Sequence, residues 1–369
     1  MKLAVSRETF LARLGIAVRG VSTRSAIQTL AGVLINVEGG RAELQATDME
    51  LGVRVGLELS DSTDGSAVVP GRLLLDVVRS LPKDDLTLEY RSSQQDVEVV
   101  SGPAKFHLRT LPAEDFPKLP DTPESGVLSV PSDAFVDTIS RVARAASRDE
   151  TRPHLTGVLV SASEKELRMV ATDSYRLSVK ETTLDEPLSG SLEANVPART
   201  LQELGRIAAA GDASTIGVAA LENQVVFTVD DVVLSSRLVE GRFPNYQQLL
   251  PDSYDHELRV NSSELVDVVR RISLLAQKNA PLRLSFSEGA VQVSAQTPDV
   301  GEASEALPIP FGGEPFEIGF NAEFFRDGLE SAESDDLVLK LISPLRPGLI
   351  QSGDDGGFLY LVMPIRLNV

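Results

Sequence analysis

The stretch VATDSYRLSV (170–179) sets a carboxylate, three hydroxyls and a guanidinium side by side at positions 172–176. Asp173 between Thr172, Ser174 and Tyr175, with Arg176 three residues on, could be part of a catalytic constellation in which a carboxylate orients a nucleophile. It could equally be a turn between two strands. The earlier stretch LQATDMELGV (44–53) also carries Ala-Thr-Asp and also returns to apolar alternation. An Asp at a strand end can accept hydrogen bonds from nearby amides, which explains a motif that recurs at matching places. Asp48 and Asp173 are therefore read as turn residues, not as a catalytic dyad.

Other reactive chemistry is sparse. There is no Gly-rich phosphate loop ending in Lys-Ser/Thr and no Gly-x-Ser-x-Gly elbow. FGGEP (311–315) lacks a strand-loop-helix context and reads as a turn. His107 falls in an alternating strand, His154 beside Pro153 and His256 in a connector, none with a local partner at metal-ligand spacing. With no Cys, disulfides, thiolate nucleophiles and cysteine metal sites are excluded. No catalytic residue, metal ligand or cofactor is assigned.

The elements that must carry these residues repeat. KLAVSRETFLARLGIAVRGVSTR from Lys2, VLSVPSDAFVDTISRVARAASRD from Val127 and ELRVNSSELVDVVRRISLLAQKN from Glu257 each read as a strand, a Ser or Asn cap and an amphipathic helix. Their starts lie about 125 to 130 residues apart, a domain length rather than a solenoid period. AVVPGRLLLDVVRSLP (67–82), ANVPARTLQELGRIAA (194–209) and EIGFNAEFFRDGLESA (317–332) repeat strand, break and helix within each domain. Alternating strands follow each of these helices. The pattern predicts an α+β chain of three similar domains, 1–120, 127–248 and 257–369, each built from two helix-plus-antiparallel-strand repeats. The Pro-rich stretches 111–126 and 240–257 read as extended connectors.

Charge is segregated. The chain of 369 residues carries a formal net charge of −19, a balance that argues against nucleic-acid binding unless basic residues are gathered on one face. After Pro131, Phe135, Ile139, Val142 and Ala146 form an apolar stripe with Arg141, Arg144 and Arg148 opposite it. After Pro70, Leu74, Val77, Val78 and Leu81 are the buried set, with Arg72 and Arg79 opposite. Arg199 and Arg206 repeat that pair in phase. In the third domain Glu323 and Glu330 take those places, and Arg271 and Lys278 carry the charge on the other helix. Any one such pair is explained by a solvated helix face; recurrence in phase within an acidic chain points to phosphate contact without base reading. The N-terminus has no apolar signal core and no apolar run is long enough to span a bilayer, so a soluble, intracellular protein without membrane partners is expected.

In RPHLTGVLV (152–160), ATDSYRLSV (171–179), EGRFPNYQQLLP (240–251) and YLVMPIRL (360–367), at these separations, the chain resembles the bacterial DNA polymerase III β subunit family, the sliding clamps, over essentially its whole length. The resemblance implies a non-enzymatic processivity factor: a head-to-tail homodimer ring of six domains, with helices lining the hole and sheets outside. The ring would enclose double-stranded DNA in the cytoplasm, associated with the nucleoid at replication sites. It further implies a hydrophobic pocket for short peptides of the replicative polymerase, the clamp loader and repair proteins. By carry-over that pocket holds Leu155, Thr172, Ser174, Tyr175, Arg176, Leu177, Pro244, Leu249, Asn321, Phe324, Val362, Met363, Pro364, Ile365 and Arg366, with Arg176 exposed beside apolar side chains. Ser174 and Tyr175 stand where some members have Gly and His. DNA-facing matches are Arg24 and the loop at Arg148–Asp149. The dimer interface would set Phe106 and Leu108 against Ile272 and Leu274, with Lys105 and Arg109 facing Glu302 or Glu305. With no nucleotide-binding motif in the chain, loading is expected to need a separate ATP-driven loader.

Two other readings compete: an acidic repeat scaffold that binds peptides but encloses no DNA, and a small-molecule hydrolase. The in-phase Arg faces favour the clamp over the scaffold, which has no need to segregate charge.

Overall fold

The structure, a computed structural model, describes residues 1–22, 25–82, 84–123, 125–276, 280–353 and 356–367. Among the described residues the chain forms six α-helices: α1 (Arg7–Ala17), α2 (Gly71–Ser80), α3 (Ser132–Val142), α4 (Ala198–Ala210), α5 (Ser262–Ser273) and α6 (Ala322–Ser331). Side-chain caps fix the starts of α1, α5 and α6, whereas α2 follows Pro70 with no such bond and Ser132, expected as the cap of α3, is its first residue. Ser6 Oγ accepts from the Thr9 amide at 3.2 Å, Asn261 Oδ1 from Glu264 at 3.0 Å and Asn321 Oδ1 from Phe324 at 3.0 Å. Each satisfies an amide that the first helical turn leaves without a partner. The apolar stripes fall as their spacing predicts: Leu74, Val77 and Val78 of α2, and Phe135, Ile139 and Val142 of α3, are buried. Burying each such side chain contributes roughly 1.5–3 kcal/mol.

Two compact units result, Met1–Ser132 with Glu203–Leu238, and Asp133–Gln202 with Val239–Val369. In the first unit a five-stranded sheet runs Asp61–Thr63, Lys2–Ser6, Asp85–Arg91, Asp96–Ser101, Ala104–Arg109. Its eight-stranded sheet runs Leu128–Pro131, Thr215–Ala220, Gln224–Val229, Val232–Arg237, Leu51–Glu58, Arg41–Thr47, Gly32–Glu38, Gly65–Pro70. In this unit α1 packs on α2 and on the strand Leu51–Glu58, and Arg13 pairs with Asp231 at 2.6 Å.

The second unit repeats the plan. Its eight-stranded sheet runs Ser191–Pro197, Gly157–Ser163, Glu166–Thr172, Arg176–Thr183, Phe358–Val362, Gly348–Ser352, Asp336–Leu341, His256–Asn261. The five-stranded sheet runs Gly301–Pro308, Ala290–Thr297, Leu282–Ser287, Phe316–Phe320, Pro364–Ile365, and α5 packs on α6. The ladders are antiparallel, as short alternating strands predict.

What the repeats did not foretell is that the eight-stranded sheets cross them. Val232–Arg237 pairs with Leu51–Glu58, and Arg176–Thr183 with Phe358–Val362. Strands of successive repeats thus share a ladder, which covers edges each repeat alone would leave bare.

Candidate functional site

Both Ala-Thr-Asp stretches end a strand in the same tight turn. In the second unit Asp173 Oδ1 accepts from the amides of Tyr175 at 2.9 Å and Arg176 at 3.0 Å, and Thr172 Oγ1 from Ser174 at 3.2 Å. Ser174 takes a left-handed φ of 79°. The amide of Met363 donates to the Tyr175 carbonyl at 2.8 Å, joining the turn to the chain's last segment. The reading of Asp173 as a turn residue fits this geometry.

Arg176, expected to be exposed, is buried at 4% of its side-chain surface. Burial of a charge is tolerated because its donors are matched. Nε donates to Asp173 Oδ2 at 3.1 Å; Nη1 donates to Asp327 Oδ2 at 2.6 Å and to the Tyr360 hydroxyl at 3.4 Å; Nη2 donates to the Arg144 carbonyl at 2.7 Å. The Phe324 ring covers the guanidinium at 4.3 Å. Burial alone would lower the Arg176 pKa, but the Tyr360 hydroxyl and the Asp327 and Asp173 carboxylates outweigh it and hold the group above its ordinary value. Burial pushes the Tyr360 phenol up in turn. Tyr360 reaches this position because α6 carries Gly328 against it, where a Cβ would come within 2.4 Å of the Tyr360 ring.

Around this buried centre stand exposed apolar side chains: Tyr175 at 60%, Leu249 at 49%, Met363 at 40% and Ile365 at 37%. They come from the turn, from the 3₁₀ segment Tyr246–Leu249, from the strand Pro364–Ile365 and from Met363 just before it. Beneath them Leu177, Val170, Leu349 and Leu361 form a core on which Phe243, Tyr246 and Leu250 of the connector pack. The expected pocket residues therefore divide. Tyr175, Leu249, Met363, Ile365, Ser174 and Arg366 are exposed; Pro244, Phe324, Pro364 and the helix cap Asn321 are half-buried. Leu155, Thr172, Arg176, Leu177 and Val362 are buried supports whose side chains do not line an open surface. Connector residue Pro244 also lines a cavity of about 940 Å³ with Leu159, Arg168, Phe243 and Tyr246.

The expected cationic faces are less free than their spacing suggests. Arg72 is exposed with no carboxylate partner among the described residues, Arg199 is exposed, and Arg79 sits 3.6 Å from Asp76. Arg141 is corrected: its side chain is only 14% exposed and is held by Asp137 at 2.8 Å, Glu333 and the Ala332 carbonyl. Arg144 pairs with Glu330 at 3.2 Å, Arg206 with Glu203, and Arg271 with Glu305 at 2.7 Å. Arg79, Arg141 and Arg206 meet carboxylates three or four residues away on their own helices, as helical spacing allows. The Glu333, Glu330 and Glu305 partners of Arg141, Arg144 and Arg271 come from far along the chain, which helical spacing cannot reveal. Arg148 is exposed but lies past the end of α3 and of the 3₁₀ turn Ala143–Ala145, not on the helix face. Arg24 and Lys278 lie outside the described residues.

Of the expected interface residues, Lys105, Phe106, Leu108 and Arg109 occupy the outermost strand of one five-stranded sheet, and Glu302 and Glu305 the outermost strand of the other. Leu274, at the end of α5, is 83% exposed. Two expectations are corrected: Leu108 and Ile272 are buried in their own units, because each points to the core side of its element. Lys105 already pairs with Glu98 at 3.1 Å, Arg109 with the Gln94 carbonyl at 2.7 Å and Glu305 with Arg271. The Arg271 guanidinium holds the Glu305 carboxyl below the usual carboxylate range.

His107 has neighbours its local sequence does not show, since cross-strand pairing sets Glu98 opposite it and brings Arg91 Nη2 within 2.6 Å of Nδ1. Asp327, Tyr360 and Arg152 were missed altogether. Arg152 donates to Ser174 Oγ at 3.2 Å and pairs with Asp149 at 3.0 Å. Its place in RPHLTGVLV was a usable signal; Asp327 lies 151 residues from Arg176, and no spacing rule reaches that far.

Profiles of the DNA polymerase III beta subunit match the whole length: the N-terminal domain at residues 1–120, the central domain at 129–245 and the C-terminal domain at 247–366. The beta sliding clamp of Streptomyces coelicolor is 32% identical and that of Synechococcus elongatus 33%, each over 100% of both chains. The sliding clamp of Pseudomonas aeruginosa, solved bound to griselimycin, superposes over 100% of both chains with a TM-score of 0.90 at 29% identity. The chain belongs to the beta sliding clamp family of DNA polymerase III, whose members are non-catalytic processivity factors.

Proposed function

We propose that this protein closes as a head-to-tail homodimer around duplex DNA, holds it without reading sequence, and tethers the polymerase and other replication and repair proteins through short peptides seated in the second unit. The observation that carries the reading is the exposed apolar rim of Tyr175, Leu249, Met363 and Ile365 beside a buried charge held by four hydrogen bonds. Apolar side chains held open on a rigid base suit a peptide with one or two anchors, and Met363 adapts to differing partners. The P. aeruginosa relative solved with griselimycin supports a ligand site on this fold. Edge strands at Ala104–Arg109 and Gly301–Pro308, each paired on one side only among the described residues, support closure with a second copy, which removes two exposed sheet edges. The three domains take the bounds 1–120, 127–248 and 257–369, with Arg72, Arg148 and Arg199 toward DNA. No helix among the described residues is long and apolar enough to cross a membrane, consistent with action in the cytoplasm.

Loading by a clamp loader with ATP onto nicked circular DNA tests this. Retention on the circle with rapid loss after linearisation is expected. Equal retention on both forms means ordinary electrostatic binding and defeats the topological reading.

A further inference from the structure

We propose that Arg176 is a positioning residue of the peptide site, tying the 173–176 turn and Phe324 to the C-terminal end of the α3–Ala145 segment without itself meeting the peptide. The inference rests on the peptide-site reading above.

Three features of the geometry lead here. The Arg176 side chain is buried, and four N–H bonds to Asp173, Asp327, Tyr360 and the Arg144 carbonyl occupy it, so little of the guanidinium remains to offer a ligand. Those acceptors lie on four separate pieces of the unit: the turn, α6, the strand Phe358–Val362 and the end of the α3 segment. Finally, two carbonyls near that end accept from side chains of one strand. Arg176 takes the carbonyl of Arg144, and Ser178, two residues along the same strand, takes that of Arg141 at 3.0 Å. A cation is favoured there, where the helix dipole leaves partial negative charge.

The consequence is mechanical. Tyr175 at the rim and the half-buried Phe324 are placed by one guanidinium: Tyr175 through the turn whose Asp173 it bonds, Phe324 through the ring that lies on it. Arg152 braces the same turn from outside, through Ser174 Oγ. A lysine could satisfy one or two of these acceptors but not the planar fork of all four.

Griselimycin affinity, measured by calorimetry well below the melting temperature of each variant, tests the claim alongside amide exchange of Tyr175 and Arg176. D327N and R176K should each weaken binding by about 10-fold, the scale of one lost charge-assisted hydrogen bond. The double variant should lose less than the product of the two, since both act through one contact. The turn amides should exchange about 10-fold faster in these variants while those of Glu50 and Leu51 in the first unit stay unchanged. A residue that matters only for global stability would leave affinity intact once the chain is folded. Unchanged affinity and unchanged turn exchange in both variants would overturn the proposal. L249D, on the exposed rim, separates the two ideas. If it leaves griselimycin binding untouched the peptide-site reading fails, and the exchange rates alone then decide whether Arg176 positions the turn.

Discussion

Two turns of this protein have nearly the same backbone and opposite surfaces. In the first unit Asp48 Oδ1 accepts from Glu50 at 3.1 Å and Leu51 at 2.8 Å, Met49 has φ 79°, and the Arg237 amide donates to the Glu50 carbonyl at 3.0 Å. In the second unit Asp173, Ser174 and Met363 play those parts. The side chains diverge. Leu51 stands where Arg176 does, and Gly52 where Leu177 does. At Gly52 the connector side chain Leu119 closes in so tightly that a Cβ would lie 2.7 Å from it, whereas Leu249 of the second connector stays half exposed. Thr-Asp suffices to make the turn; the residues around it decide whether a site opens over it.

The sharpest way to break this comparison is Arg176→Met. It strands Asp173 and Asp327 without their cation, and a loss of about 3–5 kcal/mol is expected from denaturant unfolding of the second unit. Leu51→Met at the matching place should cost under about 1.5 kcal/mol, because it exchanges one apolar side chain for another. Equal costs would mean that the buried charge does not distinguish the turns. Next in size, Gly52→Leu imitates the second unit and should cost about 1–3 kcal/mol through collision with Leu119 and Ser235, read as a lower melting temperature.

Removing the shared element is a smaller perturbation. Asp48→Ala should cost about 1 kcal/mol, the scale of a lost side-chain cap. Asp173→Ala should cost more, since Arg176 loses a partner as well as the turn losing its acceptor. The smallest effect is one of pH. Hydrogen bonds from Thr151 above all, then Arg152, hold the Asp149 carboxyl below its ordinary value. A depressed folded-state value means that its contribution is present above the unfolded value of about 3.9 and is lost as pH falls through the folded one. An NMR titration should then show the amides of Thr151 and Ser174 moving together in that acid range, through Arg152, while that of Met49 does not follow. Shifts of Thr151 without Ser174 would sever the proposed brace.

Much of the architecture was legible. The strand-cap-helix repeats, the apolar stripes of α2 and α3, the caps at Ser6 and Asn261 and the turn role of Asp48 and Asp173 are all local, and local hydrogen bonding and periodicity report them. The exposed rim at Tyr175, Leu249, Met363 and Ile365 was reached through family motifs. The state of the charges was not legible. Arg141 read as an exposed face and proved mostly buried between Asp137 and Glu333; Arg176 read as exposed and proved to be the centre of a buried network. Arg270, unremarked in the sequence, shares Glu330 with Arg144.

By itself the sequence determined the three repeats, the positions of helices and turns, and the acidic balance, because backbone preference, capping and side-chain period act over a few residues. Only the tertiary structure decided which repeats share a sheet, which arginines keep a free charge and which of two like turns carries an open apolar rim. Those outcomes depend on side chains far apart in the chain, such as Arg176 and Asp327, meeting in a low-dielectric interior where each buried charge needs its partner at hand.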